Sequence, residues 1–154
     1  MQNILFVCTG NICRSPTAHG VLEQRIKQAG LGGMISCDSA GTHAYHVGEP
    51  PDKRSIHSAD KRGIALAHLR ARKVTAQDFA RFDVILGMDT GHVEFLRRMG
   101  HASKANISLF LDFAGLGMHD VPDPYYGGAQ DFEHVLNLVE QGVDALLRRK
   151  NWLP

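Results

Sequence analysis

Ile4-Leu5-Phe6-Val7-Cys8 is an unbroken apolar run that stops abruptly at Thr9-Gly10-Asn11, and Ser15-Pro16 then opens a helical pattern. A run with no polar alternation reads as a strand covered on both faces, as in a parallel sheet with helices above and below. Serine is a strong helix N-cap, and proline suits the first helical position because its missing N–H would go unpaired there. Val21, Leu22, Arg25, Ile26 and Ala29 continue at helical spacing, and Gly30 closes the helix.

Further strands are predicted over Met34 to Ala40, Asp83 to Met88 and Ile107 to Leu111. Helices are predicted from the stiff turn Glu49-Pro50-Pro51-Asp52 to Arg62, over Thr75 to Arg81 with Thr75 as cap, and from Asp89 to Met99. The glycine- and proline-rich stretch Asp112 to Gln130 reads as loop, and a last helix covers Asp131 to Arg149. Strands alternating with helices imply an α/β protein with a parallel sheet. The 154 residues, with no linker, repeat or low-complexity run, fit a single domain over 1–154.

A formal net charge of +1 gives no reason to expect nucleic acid or an anionic membrane as partner. The apolar run near the N-terminus is too short for a membrane span or a signal peptide, so a cytoplasmic protein is expected. Cys8, Cys13 and Cys37 are too few for a disulfide framework. His43 and His46, with Cys37 alone, match no closed set of four ligands, so no metal is expected. The Arg70/Arg72/Lys73 run reads as a solvated basic face.

The chemistry concentrates after the first strand. Cys8 and Arg14 are separated by five residues that lie between a buried strand and a helix N-terminus. Ligands of open α/β sheets bind at that end of the strands. A helix start there offers unpaired N–H groups and the positive end of the helix dipole to an anion. Thr9, Gly10, Asn11, Ile12, Cys13, Arg14 and Ser15 are therefore the candidate phosphate-binding residues. Gly10 and Asn11 tolerate left-handed backbone that turns N–H groups inward. Arg14 offers a fork for two phosphate oxygens. The same positive surroundings favour thiolate over thiol at Cys8, poised beneath a bound phosphate. Ser15 is placed to donate a hydrogen bond to that sulfur.

Cys8-Thr9-Gly10-Asn11-Ile12-Cys13-Arg14-Ser15-Pro16 resembles the C-x-G-N-x-C-R-S-P signature of the low-molecular-weight protein tyrosine phosphatases. The resemblance continues through Asp38-Ser39-Ala40-Gly41-Thr42, Gly48 to Asp52, His68 to Arg72, Met88-Asp89 and Asp123-Pro124-Tyr125-Tyr126. It implies a four-stranded parallel sheet with helices on both faces. It also implies hydrolysis of phosphotyrosine through a cysteinyl-phosphate, with Cys8, Arg14 and Asp123 as catalytic residues and no cofactor. Asp120 is a competing acid by position alone, and family position selects Asp123. A supporting network of Asn11, Ser15, Ser39 and His68 is implied, with Asp89 near the site. Ile12, Tyr45, Tyr125 and Tyr126 are expected to wall the cleft. The implied partner is a phosphotyrosine-containing protein, with a tyrosine kinase as one candidate.

Cys13, five residues from Cys8, offers a reversible disulfide partner, with burial under the loop as the alternative. His19 stands where many members carry glutamate, and His92 where many carry asparagine. Three rivals remain. An arsenate reductase of this fold needs extra redox cysteines, and residues 80–100 hold none. A protein arginine phosphatase tends to carry threonine at the Ile12 position and to lack the tyrosine pair. A phosphate-binding module needs the loop but not Cys8 together with Asp123.

Overall fold

The computed structural model describes residues 1–152. Strand β1 (Gln2–Cys8) leads through the loop into α1 (Arg14–Ala29), and β2 (Ile35–Gly41) follows. Two helices, α2 (Lys53–Asp60) and α3 (Asp78–Arg81), precede β3 (Val84–Gly87) and α4 (Thr90–Met99). The chain ends with β4 (Asn106–Leu109), the short α5 (Phe110–Phe113) and α6 (Ala129–Arg149). The four strands are parallel in the order β2-β1-β3-β4. Helices cover both faces, as the apolar run at Ile4 to Cys8 requires.

Alternation along β1 sorts the core into two layers. Ile4, Phe6 and Cys8 face α1 and α6, packing with Val21, Leu22, Val139 and Val143. Leu5 and Val7 face the other side, packing with Phe79, Phe82 and Leu96. Phe6 meets the Phe110 ring edge-on at 5.5 Å. The predicted fourth strand is cut short here: the chain turns into α5 at Phe110, which buries that ring between the sheet and α6, where Gly142 leaves room for it.

Two further boundaries differ for identifiable reasons. Ser15 is not the cap of α1. Its helix starts one residue earlier, at Arg14, with Cys13 at the cap position and no side-chain cap, so Ser15 lies inside the helix with its hydroxyl against Cys8. Thr75 lies before α3, held by the Asp78 carboxylate through its N–H at 2.8 Å. By contrast α2 and α4 are capped by the side chains of Asp52 and Asp89. No helix among the described residues is long and apolar enough to cross a membrane.

Candidate active site

The loop between β1 and α1 is shaped by where its polar groups go. The carbonyls of Cys8, Thr9 and Ile12 accept the N–H groups of Thr42, His43 and Asp52 at 2.9, 3.0 and 2.8 Å. With those carbonyls tied outward, the N–H groups of Gly10 to Cys13 donate to no acceptor among the described residues. Asn11 holds the left-handed conformation expected of it, at φ 57°. Its Oδ1 accepts the Arg72 N–H at 3.0 Å, and its Nδ2 donates to Ser15 Oγ at 2.8 Å. Ser15 Oγ in turn stands 3.0 Å from Cys8 Sγ and 3.3 Å from the Ala40 carbonyl. Because Asn11 fills a lone pair of that oxygen, the hydroxyl proton is free for the sulfur or for Ala40. A thiolate, being charged, is the stronger acceptor.

Arg14 is buried, its side chain only 5% exposed. Nη1 donates to Asp89 Oδ2 at 2.8 Å and to the Val121 carbonyl at 3.1 Å, while Nη2 lies 3.8 Å from Asp123 Oδ2. Burial works against the Asp89 carboxylate, yet the His92 N–H, the His92 ring and the Arg14 guanidinium together hold its pKa below the ordinary value. His92 completes a capping box on α4: the Asp89 N–H donates to Nδ1 at 3.2 Å, so a neutral ring carries its proton on Nε2 and donates to Thr9 Oγ1 at 2.9 Å. Burial drives the His92 pKa down to about 4, against the pull of Asp89.

A cleft of about 220 Å³ opens over this loop. Cys8, Thr9, Gly10, Cys13 and Arg14 form its floor, and Ile12, Tyr45, Asp123, Tyr125 and Tyr126 line it as well. Asp123 is 49% exposed on its side chain, and its Oδ1 accepts the Tyr125 N–H at 3.1 Å. Asp120 is engaged elsewhere, accepting the Thr90 N–H at 3.1 Å at the start of α4. Tyr125 and Tyr126 meet edge to face at 5.0 Å.

Two expectations are corrected. Ser39 and His68 do not join Asn11 and Ser15. Ser39 Oγ is 3.0 Å from His19 Nδ1, and His68, on the surface, is 2.9 Å from Glu23. His19 is the reason: it occupies the buried space beside Ser39 and reaches Glu23 at 3.3 Å with its other nitrogen. Arg72 is not on a solvated face; its guanidinium pairs with Asp38 and Asp78.

Cys13 is buried and free, and burial, with Asp52, Cys8 and Asp123 adding to it, pushes its thiol up to about 12. Sequence reasoning missed two neighbours. His46 lines the cleft, held by Glu49 at 2.8 Å. Arg54 ties α2 to the acid-bearing loop, donating to the Tyr125 carbonyl at 3.0 Å. His46 sits in a turn with no helical or strand period to show where it points, and the Tyr125 carbonyl that Arg54 holds is 71 residues away. Among the described residues, no group of three or more histidine, cysteine, aspartate or glutamate side chains is placed to hold a metal ion.

Fold and cleft together define a class: a doubly covered parallel α/β protein with a cysteine–arginine loop at the carboxyl end of a central strand. Within it, residues 3–151 match the family described as low molecular weight phosphotyrosine protein phosphatase, and the chain belongs to that family. The low molecular weight protein-tyrosine-phosphatase of Streptomyces coelicolor is 42% identical over 149 residues, covering 94% of this chain and 90% of its own. The crystal structure of YfkJ from Bacillus subtilis superposes with a TM-score of 0.89 at 36% identity, over 99% of this chain and 96% of that one. A Drosophila arginine phosphatase superposes equally well, with a TM-score of 0.89, at 27% identity over 97% and 98% of the two chains.

Proposed function

We propose that this chain hydrolyses phosphotyrosine on proteins through a cysteinyl-phosphate on Cys8, with Asp123 as the proton donor. The observation that carries the reading is the shared cleft: Cys8 and Arg14 on its floor and Asp123 with two tyrosines on its rim.

The phosphate sits on the loop, its oxygens facing the N–H groups of Gly10 to Cys13 and the Arg14 fork. The Cys8 thiolate attacks phosphorus in line. The sulfur–phosphorus bond forms as the bond to the tyrosyl oxygen breaks, and the Asp123 carboxyl gives its proton to that oxygen. The tyrosine then leaves. Asp123, now a carboxylate, takes a proton from water as that water attacks phosphorus. The sulfur departs as a thiolate, stabilised by the Ser15 hydroxyl. Arg14 keeps its orientation throughout because Asp89 and the Val121 carbonyl hold its other edge.

The aromatic rim favours a flat leaving group, and Tyr45, Tyr125 and Tyr126 offer apolar faces to it. The arginine phosphatase likeness favours a second reading, phosphoarginine hydrolysis. Ile12 and the tyrosine pair speak for phosphotyrosine.

The test is phosphate release from a phosphotyrosyl peptide and from a phosphoarginine-bearing protein, side by side, with a chelator present. The expected result is turnover of the phosphotyrosyl peptide, none by Cys8→Ser, and a loss of about 10²-fold or more by Asp123→Ala. Turnover of phosphoarginine alone would establish the second reading. No turnover of either in reducing buffer would end both.

A further inference from the structure

Arg72 lies between α2 and α3, where its side chain is clamped by two carboxylates from different elements. Asp78, buried at 2% side-chain exposure, takes both prongs of the fork: Nη1 to Oδ2 at 2.9 Å and Nη2 to Oδ1 at 3.0 Å. Asp38, on β2, accepts Nε at 3.2 Å and Nη2 at 3.0 Å on a single oxygen. A planar fork held from two sides leaves its own backbone little freedom.

That backbone faces the site. The Arg72 carbonyl accepts the Gly41 N–H at 2.8 Å, which stitches residue 72 to the end of β2. The Arg72 N–H donates to Asn11 Oδ1 at 3.0 Å. This contact fixes the sense of the Asn11 amide: Oδ1 must face the N–H, so Nδ2 must face Ser15 Oγ. Asn11 is also the loop residue in the left-handed region, a conformation that needs outside support in anything but glycine. The path therefore runs from two carboxylates through one guanidinium, one backbone N–H, one amide and one hydroxyl to Cys8 Sγ.

We propose that Arg72 is a positioning residue for the phosphate loop: the Asp38–Arg72–Asp78 clamp fixes the backbone N–H that orients Asn11, and through Asn11 sets Ser15 against Cys8. The inference rests on the reading of this loop as a phosphate cradle.

A double-mutant cycle between Arg72→Ala and Asn11→Ala tests it. Two values are measured per folded molecule: kcat/KM for nitrophenyl phosphate and the dissociation constant of inorganic phosphate. Alone, Arg72→Ala is expected to lower the first and weaken the second by about tenfold. In the Asn11→Ala background the same substitution should cost less than about twofold, because the link it acts through is already cut. An equal loss in both backgrounds, or a lowered Tm with both values unchanged, would overturn the proposal. Should Asn11→Ala not fold, Ser15→Ala, the next link, replaces it. Phosphate affinity needs no turnover, so an unsubstituted chain that binds phosphate without hydrolysing an ester still tests Arg72 while ending the functional reading. An unsubstituted chain that binds no phosphate overturns both.

Discussion

Arg54 Nη2 donates to the Tyr125 carbonyl at 3.0 Å, while the same guanidinium lies 4.4 Å above the Phe132 ring. One side chain from α2 thus braces both the loop that carries Asp123 and the helix that follows it. Arg54→Ala is expected to lower kcat/KM, which reports departure of the leaving group, by about three- to tenfold for a phosphotyrosyl peptide and by less for nitrophenyl phosphate. Tyrosine, with a pKa near 10, needs its proton from the acid far more than nitrophenol does. Equal losses with both leaving groups would show that Arg54 does not act through Asp123.

The neutral, buried His92 sets an acid limit on stability. Burial holds its pKa near 4 in the folded chain, against an ordinary 6.5. Between those values the unfolded chain takes up a proton that the folded chain refuses. The contribution is therefore complete above about pH 6.5 and is lost as pH falls toward 4, on the order of 3 kcal/mol over the full range. His92→Asn should flatten the dependence of Tm on pH across this window. Parallel curves for the two proteins would refute the assignment.

Alkylation separates the three cysteines. Burial keeps the Cys13 thiol protonated, with a pKa near 12, and burial reinforced by Glu23 and Asp38 raises that of Cys37. At neutral pH, iodoacetamide is expected to label Cys8 first, and inorganic phosphate should slow that labelling. Peptide mass spectrometry reads the order directly. Labelling of Cys13 at the rate of Cys8 would count against it.

Gly41 is required by contact, not by its own torsion. A Cβ there would lie 2.6 Å from the Thr9 carbonyl oxygen and 3.2 Å from the Asn11 nitrogen. Gly41→Ala must push the loop away from β2. A destabilisation of about 1–3 kcal/mol is expected in a denaturant titration, with weaker inhibition by phosphate. Unchanged phosphate inhibition would mean that the loop absorbs the methyl group elsewhere.

What the sequence discloses is mostly local. Cys8 to Pro16 sits between a recognisable strand and a recognisable helix, so its place at the carboxyl end of β1 is legible from nine consecutive residues. The partner of that loop is not. Asp123 is separated from Cys8 by most of the chain, and resemblance, not spacing, singled it out over Asp120. Arg72 misleads because a basic run on an irregular segment looks solvated, and nothing nearby in the chain announces Asp38 as its counter-charge. Ser15 misleads in the opposite way. It has the chemistry of an N-cap, but it lies inside the helix, where its oxygen accepts from Asn11 Nδ2 at 2.8 Å and stands 3.0 Å from the Cys8 sulfur. His68 could not be placed without knowing that Ser39 is already paired with His19 and that His68 itself lies out against Glu23.

The two halves of the cleft differ in how firmly they are built. Asn11, Ile12, Cys13 and Arg14 are all buried, and the loop's carbonyls extend the hydrogen bonding of the sheet. Residues 122–128 have no helix or strand, and all but Pro124 are exposed. Local openings of low free energy therefore belong to the second half. In the two-step hydrolysis proposed above, the alcohol must depart and water must enter while phosphorus stays bound to sulfur. A wall that breathes beside a cradle that does not permits this exchange without loosening the intermediate.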